Sequence, residues 1–148
     1  MLSPDFDLVN RVFVRLADRE ESDGPDSIND IERVVLLVWH AAGIIGNGGF
    51  HYFLECGLPL RSTAEAYSRI GVESAAAILF RLLDLFPRQH VPSDWDERME
   101  FVEHLCDRNR DLFDRWEGDY YNTEALMGQQ LAGWIRVHDD VFHSAGIS

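Results

Sequence analysis

The 148-residue chain predicts an all-α fold: a single-domain bundle of six or seven helices around a buried central helix. Three observations carry that expectation. Apolar residues recur at helical spacings from Leu8 to Phe142, strand-type alternation is absent, and neither repeats nor low-complexity tracts occur. A chain of this length forms one domain that buries roughly 70% of its unfolded surface. With 46% hydrophobic and 26% charged residues, its composition is that of an ordinary globular protein.

The elements follow in order. Leu8, Val9, Val12, Phe13 and Leu16 mark a first amphipathic helix. A polar acidic break from Asp18 to Asp26 follows, with Gly24-Pro25 as its turn. Ser27 or Asn29 is placed to cap the next helix, and Asn29 with Glu32 has capping-box spacing. The run Val34–Ile45 is apolar nearly all round and is expected at the centre of the bundle.

Gly46-Asn47-Gly48-Gly49 ends that run. Three glycines in four positions suit a helix C-cap or a tight corner. Phe50, Tyr52, Phe53 and Leu54 then predict a second helix folding back beside the first. Gly48 or Gly49 is expected to take φ > 0 or to touch a neighbouring backbone, and Asn47 to hydrogen-bond locally.

Gly57-Leu58-Pro59 closes that segment, and Ser62 or Thr63 starts a helix reaching Ile70-Gly71. Val72, Ala75, Ala76, Leu79, Leu82, Leu83 and Phe86 define another, stopped by Pro87. After a Pro87–Pro92 linker, Ser93 or Asp94 is a natural N-cap. Trp95, Met99, Val102, Cys106, Phe113 and Trp116 line one side of a single long helix that Gly118–Asn122 breaks. Met127, Leu131, Trp134, His138 and Val141 line a closing helix.

Charge and composition exclude several function classes. The net charge of −13 opposes direct nucleic-acid binding and docking on anionic membranes, and favours a basic partner or simple solubility. All thirteen basic residues are arginine, so no lysine is present for a Schiff base or a phosphate-loop ammonium. The longest apolar run is about twelve residues and contains His40, short of the ~20 that span a bilayer. The acidic N-terminus shows no secretory signal, so the expected location is cytoplasmic. Cys56 and Cys106 are expected as buried apolar residues without a disulfide between them.

Sites of chemistry are sparse. The Gly46–Gly49 stretch follows a helix rather than a strand and lacks the lysine of a phosphate loop. His51 and Glu55 share a helix face but supply too few ligands for a metal, and His138 and His143 diverge by roughly 140° around a helix. No metal, cofactor or catalytic residue is assigned. A pocket around Trp39, His40, Asn47 and His51 is the one place where a small-ligand binder or an enzyme would be built. Against it stands the reading of His40 as a hydrogen-bonded core residue.

The acidic residues are better organised. Asp96, Glu100, Glu103, Asp107, Asp111 and Asp114 are spaced 4, 3, 4, 4 and 3 apart. On one continuous helix they fall within roughly an 80° sector, about 4.5–6 Å apart along the axis. That interval approaches the phosphate spacing along one nucleic-acid strand. Glu97 and Glu117 extend the region, while Arg108, Arg110 and Arg115 neutralise part of it. A solvated helix face is the alternative reading of the same pattern.

Asn47-Gly48-Gly49-Phe50, with Phe53 and Leu54, resembles the signature of the DNA-mimic protein family, the DNA mimic protein 19-like proteins. The similarity continues through Ile70-Gly71, Ala75-Ala76-Ala77 and Leu85-Phe86-Pro87, and more weakly at Tyr120-Tyr121 and Leu131–His138. It covers about residues 31–142, leaving an N-terminal helix and acidic loop before it. Tyr52 and Cys56 depart from the Gln and Asn usual in the family. The resemblance implies an all-helical fold and, for some members, mimicry of DNA toward a DNA-binding protein. The leading expectation is a non-enzymatic acidic protein that engages a basic partner, with dimerisation through an apolar face able to double the acidic surface. The alternatives are an immunity or antitoxin-type inhibitor of a basic nuclease, and a ligand binder or enzyme at the glycine corner.

Overall fold

The computed structural model describes residues 3–144. Among them the fold is all-α, with eight α-helices and no strand. They are α1 (Pro4–Asp23), α2 (Asp30–Glu55), α3 (Leu60–Arg69), α4 (Glu73–Asp84), α5 (Trp95–Arg108), α6 (Arg110–Tyr121), α7 (Glu124–Val137) and α8 (Asp139–Ser144). Short 3₁₀ turns at Pro25–Ser27 and Pro87–Gln89 join α1 to α2 and α4 to α5.

Two predicted helices are each divided, while the two predicted on either side of the glycine corner form the single element α2, so the count is eight against the expected six or seven. Asn109 separates α5 from α6 at φ −121°, ψ 26°. Its side-chain amide donates to the Leu105 carbonyl at 2.8 Å, a local bond that competes with helix continuation. His138 ends α7 in the same manner, with φ −103°, ψ 33° and its Nδ1 2.9 Å from the Trp134 carbonyl. The start of α3 also differs from expectation, with Pro59 in the N-cap position and Thr63 Oγ1 donating to its carbonyl.

Caps read from sequence are in place. Asn29 accepts from the Glu32 N–H at 2.8 Å while Glu32 accepts from the Asn29 N–H at 3.1 Å, forming the reciprocal capping box. Glu32 is almost fully buried and also pairs with Arg19, so one carboxylate caps α2 and ties it to α1. Arg33 adds Glu20 and the Pro25 carbonyl to the same junction.

Helix α2 packs against α1, α3, α5, α6 and α8. Val34, Val35, Val38, Ala41 and Ile45 turn into the core, but His40, Gly43 and Asn47 are exposed. The all-round burial expected from the apolar run is therefore corrected: its small residues lie on an outer strip where no large side chain needs cover. By length and composition alone α2 is long and apolar enough to cross a membrane, beyond the twelve-residue apolar run. Here its apolar side chains face the other helices.

Candidate functional site

The acidic ridge begins where Asp94 caps α5, its Oδ2 accepting from the Glu97 N–H at 2.9 Å. Val102 and Leu105 bury one face of α5, and Phe101 stacks on Phe86 at 5.1 Å. That anchoring turns the opposite face outward: Asp96, Glu100, Glu103, Asp107, Asp111 and Asp114 are all exposed. The ridge does not run along one helix. Asp96 to Asp107 lie on α5, and Asp111 and Asp114 on α6, beyond the Asn109 break. Trp95 is also corrected, since it is 61% exposed instead of lining the buried side.

Of the arginines within this region, Arg98 is committed to structure. Its guanidinium donates to the Glu55, Pro92 and Ser93 carbonyls at 3.0–3.1 Å and lies against Gly57. Arg110 pairs with Asp107 at 3.6 Å, both well exposed, and such a pair holds its charges loosely.

The glycine signature abuts this acidic surface. Gly49 sits at φ 67°, ψ −164°, a single non-helical residue within α2. The expected corner between two helices is thus a kink one residue wide, with helical turns on both sides. A β-carbon at Gly49 would collide with the Glu117 carboxylate of α6. At Gly48 it would come within 2.5 Å of Tyr52 Cβ. The kink frees the Phe50 N–H, which donates to Glu117 Oε1 at 2.7 Å. Tyr121 Oη donates to the Ile45 carbonyl at 3.0 Å, satisfying the turn before the kink. Asn47 is exposed, and its side chain has no hydrogen-bond partner among the described residues, contrary to the local bond expected.

Beneath the kink the Phe50 ring is fully buried, edge-on to Phe113 and Tyr120 at 6.1 Å. The Tyr120 and Tyr67 hydroxyls share a buried hydrogen bond. Burial pushes both phenols well above the ordinary tyrosine range. No short-range pattern marks Glu117 or Tyr121 as partners of residues some seventy positions earlier, so both escape a local reading.

A cleft of about 230 Å³ is lined by the ridge residues Asp107 and Asp114, by Arg110 and Phe113, by Glu117, which caps the kink, and by His51. His51 Nε2 meets Glu55 on its own helix. The half-buried Cys106 thiol lines the same cleft and is pushed up to about 11, first by burial and then by the acids around it. Cys56 and Cys106 are both free, but neither is buried as expected: Cys56 is exposed and Cys106 half-buried.

The other candidate pocket is not gathered into one place. Trp39 lines a different cleft with Phe6 and Met127, and lies twelve residues, or about 18 Å of helix rise, from His51. His40 is exposed and tilted against Phe13 at 6.3 Å, not a buried core histidine. A cleft of about 360 Å³ at Pro59, Arg61 and Gln89 includes none of the ridge carboxylates. Among the described residues no three His, Cys, Asp or Glu side chains are grouped to hold a metal ion.

The DMP19-like protein family matches residues 26–138, which span the capping box, the glycine kink and the whole acidic face. The chain belongs to that family. No curated protein and no solved structure matches it. Within the DMP19-like match fall both partners of the Phe50–Glu117 contact and all six ridge carboxylates. All of α1 lies outside it.

Proposed function

We propose that this chain is a non-enzymatic DNA mimic, which engages a basic DNA-binding protein through the carboxylates of α5 and α6. The observation that carries the reading is the exposure of all six ridge acids on a face whose reverse is anchored in the core. Nine acids against four arginines occupy Asp94–Glu117, and Arg98 is turned to backbone carbonyls. Carboxylates carried on folded helices offer a partner's arginines and lysines counter-charges at set intervals along the backbone. The family name is consistent with this role.

The break at Asn109 shapes the proposal. Four ridge acids follow α5 and two follow α6, so the mimic offers two short rows in place of one straight row. We further place the protein in the cytoplasm, where such partners reside.

The test is capture from the native cell by the tagged chain at low and high salt, beside a Glu100→Gln, Glu103→Gln, Asp107→Asn triple variant. A DNA-binding protein should be retained at low salt, released at high salt, and associate more slowly with the variant. Capture of a nuclease inhibited by the chain would favour an immunity role. An unchanged salt dependence in the variant would reduce the ridge to a solvated face.

A further inference from the structure

A second recess lies on other elements, between the first turn of α1, the middle of α2 and the start of α7. It holds about 260 Å³ and is walled by Phe6, Trp39, Met127 and the backbone at Gly43, with Glu124 on its lining. The Phe6 and Trp39 rings meet edge-to-face at 5.3 Å and 65°, forming two sides of a corner. Trp39 Nε1 donates to Asn10 Oδ1 at 3.4 Å. Phe6 is held from behind by Gly128, where a β-carbon would come within 2.9 Å of Phe6 Cε2.

Gly43 leaves the floor open: a β-carbon built there meets no heavy atom within 4 Å. Glu124 is exposed and has neither ion pair nor hydrogen bond among the described residues. A carboxylate without a counter-ion beside two aromatic rings and a thioether is complementary to one chemistry. The apolar walls suit a short alkyl stem, and the ring faces and Glu124 suit a cation at its end. The charge of −13 raises the local concentration of any such cation.

The geometry points to this recess as a binding site for an organic cation on a short apolar stem, an alkylguanidinium or alkylammonium. It uses none of the ridge residues and stands independently of the proposed DNA mimicry. The stem lies along Trp39 and Met127, and the cation meets Glu124. The same chemistry arrives either as a free small molecule or as an arginine side chain of a protein.

The experiment titrates the isotope-labelled full chain with n-butylguanidinium, with a capped Gly-Arg-Gly peptide, and with neutral pentanamide. The Trp39 indole N–H resonance is followed, assigned by its loss in Trp39→Phe. Both cations should shift it saturably, and pentanamide should not. Tighter binding of the peptide names a protein side chain as the source, and tighter binding of n-butylguanidinium a free molecule. Glu124→Gln should weaken the cations about tenfold, and Gly43→Leu, which fills the floor, should abolish the shift. Absence of a shift, equal binding of pentanamide, or unchanged affinity in Glu124→Gln overturns the assignment. Should Gly43→Leu fail to fold, the surface change at Glu124 decides alone.

Discussion

The Phe50 N–H donates to Glu117 Oε1 at 2.7 Å, joining residues 67 positions apart. The contact supplies the second stretch of α2 with a side-chain cap from another helix, because Gly49 at its start has no side chain to give. A carboxylate at a helix N-terminus is favoured by the dipole as well as by the hydrogen bond. Glu117→Ala should therefore cost about 1–2 kcal/mol in urea unfolding, and Glu117→Gln, which keeps an acceptor oxygen, should cost less. Equal midpoints for Glu117→Ala and the parent would refute the cap.

The glycines of the signature should separate by substitution. Gly49→Ala places a β-carbon at positive φ and against Glu117, so a loss on the order of 1 kcal/mol or more is expected. Gly48→Ala should also destabilise, since the new atom meets Tyr52 Cβ rather than a mobile chain end. Gly46→Ala is the contrast: it is exposed with no atom within 4 Å, and better helix propensity should gain up to ~1 kcal/mol. Thermal melts of the three variants give the order directly.

The two buried tyrosines make a pH-dependent prediction. Each phenol is held above the ordinary value of 10.0, so the folded chain retains protons that the unfolded chain releases. Their contribution is complete below pH 10 and is lost as the pH rises beyond it. An ultraviolet titration should show Tyr67 and Tyr120 ionising only as the chain unfolds. Tyr120→Phe leaves the Tyr67 hydroxyl buried alone and should cost about 1–3 kcal/mol. The double Phe variant should cost less than the sum of the single changes.

Ridge charges should be nearly free of structural consequence. Glu100, Glu103 and Asp107 are exposed, and the one ion pair among them, Asp107–Arg110, is exposed on both sides. Neutralising each should change stability by less than ~0.5 kcal/mol. A large loss in the triple variant's melting temperature would show that the acids hold the fold.

Much of the fold was legible because its signals are local. The Asn29–Glu32 capping box, the Asp94 cap and the kink at Gly49 each depend on a few neighbouring residues. The division at Asn109 was not, because asparagine flanked by arginines carries no glycine or proline stop. Only the bond from its side chain to Leu105 reveals the competition. Trp95 shows the same limit: an aromatic at helical spacing was expected inside, but the first turn of α5 extends beyond the core it packs on. At the candidate site, exposure of the ridge followed from its period, whereas Glu117 and Tyr121 were found only through tertiary approach.

Glu117 has a double placement. One of its oxygens is bound to the Phe50 amide, and its carboxylate also lines the acidic cleft beside Asp107 and Asp114. Most surface glutamates sample many rotamers and lose that freedom when a cation binds, a cost of roughly 0.5–1.5 kcal/mol per side chain. Glu117 has already surrendered it in folding. Its charge is set in place at the cleft by the backbone amide, so a visiting guanidinium there would meet a receptor already ordered.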